Sequence, residues 1–249
     1  MARTSTAVAV KKSMLPADIN AALAAQVAAI QDRVSQPGGS KIGITQSKTF
    51  KLPSGLETPG PIDLVVVDFA YLNAYYTTAY DRNTITPPVC FAIHSSDKGM
   101  LPSDNSPERQ CDSCAACSQN LFGSAGKGKA CSNAVQLAVL PADFMDDPEQ
   151  PLMILKVSAT GLRPFNGYVS SLATSLRTAP WGVMTTIGFD PKSEYASLRF
   201  GNPRALDPEQ LATVFGRQEE AQRMLTVEPD VSGYEAPAPA KKPAARARR

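Results

Sequence analysis

Histidine is almost absent from this chain: His94 is the single one among 249 residues. Ser–His or Cys–His catalysis would have to rest on it. It falls in the strand-like stretch Val89–His94, where a structural or metal-ligating role fits better than a base. Long apolar runs are missing too. The longest, Leu64–Ala70, is broken by Asp68 and falls far short of the roughly 18–20 residues that span a bilayer. No membrane partner is expected. The opening MARTSTAVAVKKS lacks a hydrophobic core of signal-peptide length, so the expected location is cytoplasmic. A strongly basic body is also lacking. Net charge is +2, and eight cations sit in the tails: Arg3, Lys11 and Lys12 at one end, Lys241, Lys242, Arg246, Arg248 and Arg249 at the other. The body between them is acidic, so charge alone makes no case for nucleic acid.

What the chain does hold is cysteine in a pattern. Four of its five cysteines fall in Cys111-Asp-Ser-Cys114-Ala-Ala-Cys117 and, after a loop, Cys131. Close thiolates, a loop and another thiolate are how a chain wraps one metal ion, and structural zinc takes four such ligands. Cys111, Cys114, Cys117 and Cys131 are the simplest set; Cys90 or His94 are alternates for Cys111. An iron–sulfur cluster is a rival, although the Pro that follows the last Cys of bacterial ferredoxin runs is absent. Disulfides fit less well with an odd count and no secretory signal. Glycines at 123, 126 and 128 let the loop fold back. Gly123–Ala130 nearly matches the phosphate-binding GxxxxGK[ST] loop. Ala130 has no hydroxyl for magnesium, and no apolar strand enters Gly123.

Periodicity orders the rest. Residues 1–36 read as a tail and a helix, opened by Pro16 and Asp18, with Ile19, Leu23, Val27 and Ile30 on one stripe. From residue 41 the period changes to two. Ile42 and Ile44, then Phe50 and Leu52, predict strands; Ile62–Tyr80, Val89–His94, Val135–Leu140, Leu152–Val157, Val183–Phe189 and Leu198–Phe200 follow. Arg163–Leu176 and about 208–225 predict helices, the latter capped by Asp207. Residues 229–249 read as a disordered basic tail. Six to eight short strands with few helices predict a mostly β, α+β domain over 41–228: an antiparallel barrel or sandwich with a metal loop at 111–131 and flanking helices. Regular βαβ alternation is missing, which argues against a doubly wound sheet.

No catalytic constellation stands out, so the expectation is a protein that is not an enzyme. Asp63, Asp68 and Asp81 are the carboxylates a metal-dependent nuclease would use. Rings and cations are more informative. Phe50, Tyr71, Tyr75 and Tyr76 lie on predicted strands, with Lys48, Lys51 and Arg82 interleaved, and Lys127 and Lys129 lie in the cysteine loop. Rings that stack on bases and cations that meet phosphates are how unpaired nucleic acid is held.

The order Pro88-Val-Cys-Phe-Ala-Ile-His-Ser, the CxxC loop with Gln119-Asn120-Leu-Phe122-Gly123-Ser124 and Gly128-Lys129-Ala130-Cys131, and later Gly182-Val-Met-Thr-Thr-Ile-Gly-Phe-Asp190 resembles a family of bacteriophage single-stranded DNA-binding proteins. The resemblance runs from Phe50 to Tyr234. It implies an OB-like barrel with a zinc-bound loop, binding single-stranded DNA with little sequence preference in phage replication or recombination. Other phage replication proteins would be partners, in the host cytoplasm. The rival functions are a virion or assembly protein with a structural zinc loop, and a metal-dependent nuclease.

Overall fold

One strand is twice as long as most of the others. β4 (Ile62–Tyr75) carries a branched apolar run followed by alternating rings and small residues, a sequence suited to a strand covered on both faces. The computed structural model describes residues 40–78, 86–145 and 150–234, with isolated positions between 16 and 26. The chain divides into two units, Met1–Gly39 and Ser40–Arg249. In the first, Ile19, Ala21, Ala22, Ala25 and Gln26 are helical. The rest of the predicted helix, Asp81, Arg82 and the basic C-terminal run lie outside the described residues.

The second unit is mostly β. Before β4 come β1 (Lys41–Ile44), β2 (Phe50–Lys51) and β3 (Glu57–Thr58). After it come β5 (Cys90–His94), β6 (Cys131–Pro141), β7 (Met153–Val157), β8 (Val183–Phe189) and β9 (Leu198–Ala205). All nine join one sheet in the order β3-β2-β1-β7-β6-β4-β8-β9, with β5 beside the far end of β4. The pairs are antiparallel except β1 with β7, so the predicted antiparallel sheet is in fact mixed. β4 pairs with β6 over nearly its whole length; its other edge is shared by β8 at Ile62–Val65 and β5 at Tyr71–Tyr75.

The register of β4 slips between Val66 and Asp68. Before this bulge Leu64 and Val66 face one core and Val65 and Val67 the other; after it Phe69 and Tyr71 take over the first face and Ala70 the second. Strict alternation would have put Asp68 into the first core. The extra residue turns it aside, where its carboxylate accepts the Phe69 N–H at 2.8 Å.

The sheet curls about the first core. Along its hydrogen-bonded order β2 and β8 are five strand steps apart, about 24 Å if flat. Yet the Phe50 and Phe189 rings stack with centroids 4.5 Å apart. Lys48, at φ 58°, donates its Nζ to the Ser193 carbonyl at 2.5 Å. The half-barrel is thus shut on one side by side chains, not by a ladder. A salt bridge braces the next strands: Arg204 of β9 meets Asp63 of β4 at 2.6 Å, across β8.

α1 (Ala159–Ser171) covers the first core with Phe165, which meets Phe69 and Phe200 edge-on at 5.1 and 5.3 Å. It starts four residues earlier than predicted and runs through Pro164. A proline there leaves the Thr160 carbonyl without its helical N–H. The Ser197 hydroxyl donates to that carbonyl at 3.3 Å, which makes the proline tolerable. A π-helical turn, Leu172–Leu176, ends the element at left-handed Arg177. The predicted last helix is two, α2 (Pro208–Gly216) and α3 (Gln218–Leu225), opened by a capping box between Asp207 and Gln210. They cover the second core with Val214, Ala221 and Leu225. No helix among the described residues is long and apolar enough to cross a membrane.

Two substitutions test this account. Phe50→Ala removes a fully buried ring at the closure, and about 3–5 kcal/mol of unfolding free energy in urea should go with it. Burial tends to raise the Asp63 carboxyl, but the Thr186 hydroxyl and Arg204 guanidinium outweigh it and hold it below its ordinary value. A lowered folded pKa stabilises above the unfolded value and loses that contribution as pH falls through the folded one. Asp63→Asn should therefore flatten the acid limb of the stability profile below about pH 4.

Candidate metal centre and loop

The far end of β4 lies between β5 and β6, and register places residues there in rows. Cys90, Tyr75 and Cys131 are directly opposed; Ala92, Asn73 and Asn133 form the next row, and His94, Tyr71 and Val135 the one after. Opposed residues point to the same face, so two cysteines flank Tyr75 on one side of the sheet. Cys131 itself opens β6, four residues before the predicted strand. A strand follows Lys129 where a phosphate loop would need a helix.

Between β5 and β6 the chain first runs back along the free edge of β5. Ser103 N–H donates to the Phe91 carbonyl at 2.8 Å and Glu108 N–H to that of Val89 at 2.7 Å, while Ser106 Oγ meets both backbone groups of Phe91. It then turns over the sheet face. Cys114 N–H donates to the Met100 carbonyl at 3.0 Å. Asn120 closes the Cys114–Cys117 turn: its N–H reaches the Cys117 carbonyl at 2.9 Å and its Nδ2 that of Cys114 at 2.8 Å. All five cysteines, with Asn73, Tyr75 and Asn120, border one internal space of about 10 Å³. That is room for one water-sized sphere or a single ion, not a small-molecule substrate.

The thiols feel one another. Burial, then the neighbouring Cys114, Cys117 and Cys90, push the Cys131 thiol up to about 12. Burial and then its hydrogen bond to Cys117 raise Cys111 as well. Cys114 is raised by burial, partly offset by the Asn73 amide. Crowded thiols that disfavour each other's ionisation are the donor set a dication suits, because its attraction for each thiolate offsets their mutual repulsion. The sulfurs ring the space and are not closed on one point. Among the described residues, no three His, Cys, Asp or Glu side chains are arranged as they stand to hold a metal ion. The donor type and the volume suit zinc, while the side chains would have to draw closer to share one ion.

His94 is not among the residues bordering this space. It is exposed, and its Nδ1 accepts the Ser96 N–H at 3.0 Å. Asn73 is buried beneath the thiols; its Oδ1 accepts from Asn133 Nδ2 at 2.5 Å and its Nδ2 points at Met100 Sδ. Neither asparagine figured in the sequence reading, although a polar residue in an apolar strand was a visible signal.

The predicted nucleic-acid contacts divide. Phe50 is core and has no free face for a base. Tyr71 donates its O–H to Asn166 at 2.7 Å and packs on the core, its phenol raised by burial and then by Asp97. Tyr75 borders the thiol space, and the Lys48 amine is tied to Ser193. Lys51, Tyr76, Lys127 and Lys129 are exposed; Lys129 also reaches Asn120 Oδ1 at 3.2 Å. One exposed ring outside the expected contacts is Phe122. It is 80% exposed, next to exposed Leu121, in the same loop as the two lysines. An aromatic in a Gly/Ser/Lys loop with no period to bury it was the signal. The loop is firmly built. Gly123 and Ala125 N–H donate to the Gly128 carbonyl, and Ser124 Oγ accepts from Ala130 N–H at 2.8 Å while lying 2.7 Å from the Leu121 carbonyl.

Of the predicted tail, residues 229–234 are among the described ones. Tyr234 donates its O–H to Glu108, and Glu228 binds Ser103 and Asn105, so this segment lies against the strap along β5. Of the nuclease candidates, Asp63 is paired with Arg204 and Asp68 with its own bulge. The chain matches no family model, no curated protein and no solved structure.

Asn73→Ala removes the buried amide oxygen that accepts from Asn133 Nδ2 and should cost about 1–3 kcal/mol of unfolding free energy in a urea melt, with the far-UV circular dichroism spectrum unchanged.

Proposed function

We propose that this chain binds single-stranded DNA and is not an enzyme, with an OB-like half-barrel carrying a zinc-stapled loop whose tip meets the strand. One observation carries the reading: Phe122 stands 80% exposed at the end of a hydrogen-bonded loop that also exposes Lys127 and Lys129. A ring that is already ordered stacks on a base with little loss of conformational freedom. The lysines beside it supply the phosphate contacts, and neither ring nor cation reads base edges, so sequence preference is weak. Tyr76, 42% exposed where β4 ends next to the thiol rows, adds a second ring at that end of the sheet.

The thiol space supports the staple. Zinc there would supply a fixed tetrahedral centre, while the chain's own cysteines set the height and angle of the loop above the sheet. The sequence resemblance supports the setting: phage replication or recombination, in the host cytoplasm, alongside other replication proteins.

Fluorescence anisotropy with labelled oligo-dT at rising salt tests the proposal. Affinity should fall with salt, and Lys127→Ala with Lys129→Ala should each reduce the slope by about 0.7. Phe122→Ala removes an exposed ring, so stability should stay unchanged while binding weakens roughly 5- to 150-fold, the equivalent of about 1–3 kcal/mol for one stacked base. No binding to oligo-dT, or binding indifferent to salt and to Phe122, rejects it. Ordered self-assembly without DNA would favour a virion protein instead.

A further inference from the structure

We infer that the zinc ligands are Cys90, Cys114, Cys117 and Cys131, two from the sheet and two from the loop, and that Cys111 stands outside the set as a free thiol. The inference rests on the zinc reading above and names its ligands. Five thiols border a space for one ion, and a tetrahedral site has four seats. Burial separates them: Cys90, Cys114, Cys117 and Cys131 are buried, and Cys111 is partly exposed.

Position separates them again. Cys90 and Cys131 flank Tyr75 in one row on the same face of β5, β4 and β6. Paired strands fix the positions of both relative to each other, which a loop alone does not. Cys114 and Cys117 come down on this row from the turn that Asn120 closes, pinned through the Cys114 N–H to Met100. Cys111 precedes that turn and lacks these backbone anchors; it meets the group through a hydrogen bond to Cys117, from a partly exposed position. His94, two rows from Cys90 and turned to Ser96, has no place in the set.

This assignment changes what the metal does. With ligands on β5 and β6, the ion fastens the loop to the sheet at both of its roots, residues 90 and 131. A set drawn from Cys111, Cys114, Cys117 and Cys131 would leave β5 unattached.

Alkylation of the full-length chain tests it. The zinc-loaded protein is treated with iodoacetamide, digested and mapped by mass spectrometry, before and after a chelator; bound zinc is measured by elemental analysis for the wild type and for Cys111→Ser. The expected result is labelling of Cys111 alone while zinc is bound, labelling of the other four after chelation, and one zinc per chain in Cys111→Ser as in the wild type. Protection of Cys111 by zinc, or loss of zinc in Cys111→Ser alone, overturns the assignment. So does a Cys90 that labels while zinc is bound, or one that stays protected after chelation while Cys114 and Cys117 become reactive. A wild-type chain that takes up no zinc removes the zinc reading itself, and DNA binding is measured separately.

Discussion

The pairing of β4 with β6 is the constraint on which the rest of the structure depends. It runs from Leu64 to Tyr75 with a single slip, and each half of β4 serves a different purpose. The first half, with β8, builds the core of the half-barrel. The second, with β5, presents Asn73, Tyr75 and the two strand cysteines on one face. The slip at Asp68 keeps both halves consistent. Without that extra residue every side chain beyond it would change faces, and Asn73 and Tyr75 would point away from the cysteine loop.

The same logic explains why polar groups cluster at one end of an apolar strand. A buried amide is costly without partners, and Asn73 has Asn133 and the thiol side of the loop. Buried thiols tolerate low-polarity surroundings as small hydrophobes do, so the space they border stays compatible with folding whether or not an ion fills it. The loop above carries its own hydrogen bonds through Ser124, Gly128 and Asn120, which frees its tip from any need to be packed.

Much of the fold was legible in residue order. The onset of a period of two at residue 41, the run Leu64–Ala70 and the Asp207-Pro208 helix start all appear where alternation or capping demanded. Three features were not, each because a distant residue decides it. Helix α1 passes through Pro164 because Ser197, from the turn before β9, takes the orphaned carbonyl. Residues 228–234 follow the strap because Ser103 bonds Glu228 and Glu108 accepts from Tyr234. Phe50 reads as a half-exposed strand ring until the curl of the sheet brings Phe189 against it. At the candidate site the cysteine spacing was plain, but their arrangement in space was not: Cys90 is far from the others in sequence and joins them only through strand register. Rings on strands drew attention as base-stackers, and most proved to be committed to packing or to hydrogen bonds. The most exposed ring among the described residues, Phe122, lies in the loop, where no periodicity marks a residue.

The closure of the half-barrel has a mechanical consequence. On its ladder side the wall is held by directional backbone bonds that break or hold as a set. On the Phe50–Phe189 side it is held by stacked rings and one lysine, contacts that slide and tilt at small cost. The half-barrel therefore has a seam, where its two ends meet through side chains alone while every strand keeps its own ladder neighbours.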